Sequence, residues 1–256
     1  MLLILLLALL FSSACGHSKQ ARVNVPPPPG AHPSDTQPPT GAAETPADRA
    51  TQNRATPEQN DARIAQPSIP AGAKPLATET GLASWYGPPY HNRRGSNGEV
   101  YNMNAMTAAH RTLPLGSIVR VTNLKTGHAA LVRITDRGPF IPGRVLDLSL
   151  AAARKLDVVQ PGVAKVKVEV MQTPAPLNSG GKWAVQIGGF PDKDVAAQLA
   201  DLLTRRYRTA KVLRFASPAG DWWVRVRVLN DDRQRAQELA AETETIQGAV
   251  FVVRLD

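Results

Sequence analysis

SIVRVTNLKTGHAALVRITDRGPF, Ser117 to Phe140, holds two alternating apolar runs joined by Lys125-Thr126-Gly127. Period-two alternation puts every second side chain on one face of a strand, and a short polar turn ending in glycine predicts that the two strands form a hairpin. The second run ends at Asp136, which opens Asp-Arg-Gly-Pro-Phe. A carboxylate at that place is held by a sheet yet remains open to a ligand. Working outward, Gly81 to Tyr86 and Ala164 to Met171 alternate in the same way. Asp147 to Leu156 reads as a short helix capped by Ser149, with Leu150, Ala153 and Leu156 on one side. Short strands, glycine-rich turns and one small helix predict a compact barrel between about Gly81 and Met171.

A second folded region begins near Gly180, after the join Thr173-Pro-Ala-Pro-Leu-Asn-Ser-Gly180. KWAVQIGGF is a strand, Asp192 to Tyr207 has Val195, Leu199, Leu202 and Leu203 at helical spacing, and AKVLRFA and WWVRVRVL are strands. Asp231 to Glu242 gives a second helix and AVFVVRL a last strand. The order βαββαβ predicts a four-stranded antiparallel sheet with both helices on one side. Parity puts Trp222, Val224, Val226 and Val228 under the helices, and Trp223, Arg225 and Arg227, with Gln186 of the first strand, on an open face. Such a face could stack on a sugar ring and hydrogen-bond its substituents, or be a solvated basic surface.

More than half of the 22 prolines lie between Pro26 and Pro75, in a stretch almost without aromatic or large aliphatic residues. That composition buries too little surface to offset the entropy of ordering, so it reads as a tether. About 175 residues remain beyond Glu79, enough for two domains of modest size. The first eleven residues are a continuous apolar run, too short to span a bilayer, followed by Ser12-Ser-Ala14 and the only cysteine, Cys15. This predicts export, and the segment resembles a bacterial lipoprotein signal whose cysteine is lipidated. Gly16 behind it, where inner-membrane retention uses Asp, points by the same resemblance to the outer membrane. One cysteine excludes an intramolecular disulfide. The net charge of +9 and pI of about 10.0 suit solubility or an anionic partner, and export argues against nucleic acid.

Glu99, His110 and Asp136 are the polar residues of the barrel region that bear on chemistry. Taken singly they read as a surface acid, a structural histidine and an Asx turn or ion pair with Arg133 or Arg137. The five histidines form no HxxxH or HExxH pair, so no metal site is predicted. There is no GxSxG elbow for a serine nucleophile.

The segments Gly81-Leu-Ala-Ser-Trp-Tyr-Gly87, Asn97-Gly-Glu99, Ala105-Met-Thr-Ala-Ala-His110, Thr112-Leu-Pro-Leu-Gly116, Asp136-Arg-Gly-Pro-Phe140 and Asp147-Leu-Ser-Leu-Ala-Ala-Ala153 resemble, in order, the rare lipoprotein A family. These are septal lytic transglycosylases built on a double-psi β-barrel. Trp183-Ala-Val-Gln-Ile-Gly-Gly-Phe190 is similar to the start of a sporulation-related repeat (SPOR) domain, which binds glycan strands stripped of stem peptides. Val228-Leu229-Asn230 stands where that family usually has Gly-Pro-Phe, and Gly95-Ser96 and Asn102 stand where the barrel family usually has Thr-Ala and Asp.

The resemblance implies a six-stranded double-psi β-barrel with a small helix, followed by an α+β SPOR domain. It divides the chain into a signal peptide (1–14), a tether from lipidated Cys15 (15–79), the barrel (80–172), a linker (173–180) and the SPOR domain (181–256). It puts the acid/base pair on Asp136 and Glu99, with Asp136 the principal acid/base and Glu99 its stabiliser or partner, or the two roles exchanged. His110 orients a carboxylate or the sugar. Gln186, Trp223, Arg225 and Arg227 contact glycan. The implied reaction is endolytic cleavage of peptide-free peptidoglycan with a 1,6-anhydro product during cell separation, needing no cofactor. The protein would be a monomer, tethered at the septum beside divisome proteins. A non-catalytic septal glycan-binding lipoprotein is the competing expectation.

Overall fold

The computed structural model describes residues 67–207, 211–245 and 248–256. The apolar run, Cys15 and the Pro-rich stretch up to residue 66 lie outside the described residues.

Six strands close into a barrel: β1 (Ala77–Trp85), β2 (Thr107–Ala109), β3 (Ile118–Asn123), β4 (Ala129–Asp136), β5 (Arg144–Leu148) and β6 (Ala164–Gln172), in the spatial order β1-β5-β2-β4-β3-β6. The expected hairpin is present as the antiparallel pair β3–β4, with Gly127 at φ 77° in its turn. Two pairings are parallel, β1 with β5 and β2 with β4, and parallel neighbours require crossover connections that a meander does not. Val119, Val121, Val132, Ile134, Leu146, Val166 and Val168 are completely buried and fill the interior. At about 25 cal/mol per Å² of apolar surface, this packed valine-rich interior is the main stabilising contribution.

The helix α1 (Leu150–Lys155) follows β5, and the Ser149 hydroxyl accepts the Ala152 N–H at 3.2 Å while donating to the Ala105 carbonyl at 2.6 Å. Asp147, expected at the start of this helix, lies in β5 instead. Its neighbours Leu146 and Leu148 are buried, and Asp147 itself pairs with Ser84 of β1 and Ala109 of β2, so strand pairing fixes it.

The second region is an antiparallel sheet in the order β10-β7-β9-β8, made of β7 (Trp183–Phe190), β8 (Lys211–Ala216), β9 (Trp222–Arg227) and β10 (Ala249–Arg254). Helices α2 (Lys193–Arg206) and α3 (Arg233–Glu242) cover one face, where Val185, Ile187, Val224 and Val226 meet Ala196, Leu203, Ala236 and Leu239. Asp192 and Asp232 cap these helices through their carboxylates, each relieving one orphan N–H. Gly188 has φ 149°, and a Cβ there would stand 2.6 Å from the Trp222 carbonyl, so the bulge between β7 and β9 admits only glycine.

The face expected to be open is not open. Trp223 is 6% exposed and Gln186 1%, because this side of the sheet lies on the barrel. The Trp223 ring meets Phe140 at 5.3 Å between centroids, Phe251 meets Phe140 at 5.8 Å, and the Arg111 guanidinium lies 5.3 Å over Phe251. Main-chain bonds join the same surfaces: Arg254 N–H to the Arg111 carbonyl at 3.0 Å and Leu115 N–H to the Asp256 oxygen at 3.1 Å. The parity of the strands is as expected. Its exposure differs because an aromatic surface facing an aromatic loop gains more by burial than by solvation.

Replacing Ser149 by alanine removes a helix cap and leaves the half-buried Ala105 carbonyl without that donor. Denaturant unfolding should show a loss of about 1–2 kcal/mol, and an unchanged midpoint would contradict the capping role.

Candidate active site

Asp136 is the last residue of β4, beside Ala109 of β2, and its carbonyl accepts the His110 N–H at 3.1 Å. Its Oδ1 accepts three donors: Ser96 N–H at 3.0 Å, Ser96 O–H at 2.5 Å and Arg137 N–H at 2.8 Å. Oδ2 is free of hydrogen bonds among the described residues. The two arginines next to it in sequence spend their charge elsewhere. Arg137 is buried and donates to the carbonyls of His110 (3.1 Å), Leu113 (2.8 Å) and Asp256 (2.6 Å), and burial pulls its guanidinium down to about 10. Arg133 reaches over to Glu99.

The loop carrying Glu99 folds back on itself through Gly95 N–H to the Glu99 carbonyl at 2.8 Å, and Gly98 takes φ 85° in its turn. The Asn97 side chain accepts the Glu99 N–H at 3.0 Å. The Glu99 carboxylate takes a two-pronged contact from Arg133, at 3.1 and 2.7 Å. Those bonds hold it below the ordinary carboxylate range, outweighing a smaller upward push from burial. Such a pairing is the strong form of a charge-assisted hydrogen bond. Glu99 is therefore a fixed negative charge, suited to stabilising a cation and poorly suited to donating a proton.

Asp136 and Glu99 line one cavity of about 430 Å³ in the barrel wall, together with Gly95, Tyr101, Asn102 and Arg133. The expected pairing of the two acids in one cleft is present in the geometry. His110 differs from expectation. Neither ring nitrogen meets Asp136 or Glu99. Nδ1 accepts the N–H groups of Thr112 (3.1 Å) and Leu113 (3.0 Å), which puts the ring proton on Nε2, and Nε2 donates to Glu79 Oε1 at 2.6 Å. Its physical task is local: it holds the 110–113 turn whose carbonyls in turn hold Arg137.

Of the sheet residues, Gln186 accepts two bonds from Arg225 (3.1 and 2.7 Å), Trp223 is in the docking contact, and Arg227 is paired with Asp231 at 2.9 Å. The carboxylate on Arg227 comes from the short turn after β9, and its side chain stays partly exposed. Cys15 lies outside the described residues.

Two residues of the site escaped the sequence reading. Ser96 was visible only as a departure from the family pattern, and it supplies two of the three bonds to Asp136. A Cβ at Gly95 would meet nothing nearer than 3.5 Å, so the neighbouring departure leaves room where the family carries threonine. Asp147 lies across Ala109 from Asp136 and accepts from Ser84 Oγ at 2.6 Å and Arg144 at 3.2 Å. Burial pushes its carboxyl up, against the Arg144 charge and the Ser84 bond.

Residues 78–168 match the family model described as "Lytic transglycolase", and residues 179–254 match that of the "SPOR domain". Among curated proteins, the "Endolytic peptidoglycan transglycosylase RlpA" of Campylobacter jejuni is 38% identical over 168 residues, covering 56% of this chain and 61% of that protein. The protein of that name from Pseudomonas aeruginosa is 44% identical over 138 residues (54% and 40%), and the one from Vibrio cholerae 54% over 99 residues (39% and 38%). The chain thus spans less than two thirds of the length of each of these relatives.

Substituting His110 by alanine strips Thr112, Leu113 and Glu79 of a partner. A loss of about 2–4 kcal/mol is expected, lowering the melting temperature by roughly 5–10 °C. A large fall in turnover with an unmoved melting temperature would instead put the imidazole in the chemistry.

Proposed function

The chain belongs to the RlpA family and carries a SPOR domain, and from that premise we propose that it is an endolytic peptidoglycan transglycosylase with Asp136 as its acid/base. The observation that carries this reading is the contrast between its two carboxylates: Glu99 is held ionised by Arg133, while Asp136 shares the same cavity, is free of any salt bridge among the described residues and keeps Oδ2 open. Catalysis at a glycosidic bond needs such a division between a proton-transferring and an electrostatic group.

In the proposed reaction, protonated Asp136 gives its proton to the bridging oxygen as the C1–O bond of the muramic acid breaks. Positive charge develops on C1 and the ring oxygen, and Glu99 stabilises it. The C6 hydroxyl of the same sugar attacks C1 and its proton returns to Asp136. The enzyme ends as it began, the leaving sugar carries a new hydroxyl, and a 1,6-anhydro ring forms without water. Ser96 and the Arg137 N–H position the carboxyl by engaging Oδ1. His110 is a positioning residue acting through Arg137.

The preferred substrate in this reading is glycan stripped of stem peptides, recognised also through Arg225, which Gln186 orients, while the buried Trp223 holds the sheet on the barrel. Cys15 carries the lipid that tethers a monomer to the outer membrane, and the chain between it and the start of β1 at Ala77 supplies the reach to the wall at the septum. A tether that keeps two glycan-directed domains near one polymer raises local concentration without new contacts.

Digestion of amidase-treated sacculi should release anhydro-ended fragments, and Asp136→Asn should reduce that release on the order of a thousandfold with binding retained. Binding by the intact protein with no anhydro ends would leave the non-catalytic reading standing. Arg133→Gln removes the groups that hold Glu99 low. The acid limb of the kcat/KM profile, where an ionised Glu99 is lost as pH falls through its pKa, should then move to higher pH. An unmoved limb would remove Glu99 from the rate-determining ionisation.

A further inference from the structure

Asp136 sits where two cavities meet. One is the barrel cavity that holds Glu99. The other, of about 270 Å³, runs between the barrel and the docked sheet, and Gly95, Tyr101 and Asp136 line both. The second groove has walls from two domains: Tyr90, Arg93 and Phe140 from the barrel face Phe215, Trp223 and Arg225 from the sheet.

Its charge is lopsided. Asp136 is the one acid among its lining residues, against Arg93, Arg94, Arg137 and Arg225. Arg94 donates to the Gly98 carbonyl at 2.6 Å and Arg137 is engaged by three carbonyls. The other two cations have no carboxylate within salt-bridge distance among the described residues. Arg225 is oriented by neutral Gln186 and lies 5.1 Å over the Phe215 ring. Burial holds the Arg225 guanidinium down and Asp136 supports its charge only from beyond salt-bridge distance, so the natural compensation is an anion that arrives with the ligand. Gln186 and the ring beneath hold the planar fork in place before the ligand comes, so little entropy is lost on engagement.

We propose that the sheet domain supplies half of the catalytic cleft, its groove with the barrel being a subsite in which Arg225 and Arg93 take the free carboxylate of a 3-O-lactyl sugar on one side of the scissile bond. This rests on the transglycosylase reading and adds a reason for the preference for stripped strands. A stem peptide turns the lactyl carboxylate into a neutral amide, and its removal restores the charge that the groove lacks. Selection for stripped glycan is then made at the reacting bond as well as by wall targeting. Trp223 and Gln186 serve the site from within: one anchors the docking on Phe140, the other aims Arg225.

The test uses the full chain and two preparations of stripped glycan strands, one with free lactyl carboxylates and one with them converted to methylamides. The wild-type protein should cleave the free acid with kcat/KM roughly ten- to a hundredfold higher, the range of a charge-assisted hydrogen bond. Arg225→Gln and, on the other domain, Arg93→Gln should each shrink that ratio through KM, and Arg225→Lys should restore part of it. The double variant should lose less than the two single losses combined, since both act on one carboxylate. Equal cleavage of both strands by wild type, or a silent Arg93→Gln beside an effective Arg225→Gln, overturns the shared subsite while leaving the transglycosylase reading intact. Should wild type yield no anhydro ends from either strand, that reading fails. Binding isotherms with the same strands and variants then decide the subsite: a charge preference lost in both arginine variants supports it, and equal affinities overturn it. Thermal melts of each variant verify folding.

Discussion

Ala109 is gripped by two strands at once. It pairs in parallel with Asp136 of β4 and antiparallel with Asp147 of β5, and the barrel closes through this three-residue strand. Only small side chains fit: Ala108 is completely buried and Ala109 nearly so. The closure gives the site its position. It brings the end of β4 to the surface beside the 93–101 loop, puts Asp136 within reach of Ser96, and sends the following Arg137 into the turn that His110 organises. A larger residue at Ala109 would force the strands apart at the point where the Asp136 carboxylate is held.

The arrangement of charge follows from the same frame. Arg133 and Arg137 flank Asp136 in sequence, and two guanidiniums on one carboxylate would have fixed it as an anion. Arg133 is engaged by Glu99 through two bonds, while Arg137 is drawn inward by three carbonyl oxygens. One acid is thereby ionised by a dedicated partner and the other is left with hydrogen bonds to a single oxygen. The contrast between the two carboxylates is set by where two arginines go.

Local features of this fold were legible in the sequence. The β3–β4 hairpin, the Ser149 cap and the six elements of the second region all rest on alternation, helical spacing or turn chemistry within a few residues. β2 and β5 were not legible from pattern. They have three and five residues, and their pairing is decided by neighbours far along the chain. The contact between Glu99 and Arg133 spans 34 positions, beyond anything spacing reveals. The parity of β9 sorted Trp223 and Arg225 onto the right face, but parity says nothing about what covers a face. The cover is Phe140, in the loop that also carries Arg137.

β10 is an edge strand of its sheet, and an edge presents unpaired main-chain groups to any other strand that comes by. Here the barrel occupies part of that edge: Arg111 accepts the Arg254 N–H, and Leu115 and Arg137 both donate to the Asp256 oxygen. The aromatic patch of Trp223 and Phe251 is covered in the same stroke. The barrel is thus a built-in cover for its neighbour's sheet. It shields one strand edge and a sticky aromatic surface, two features prone to self-association, with residues that also build the site.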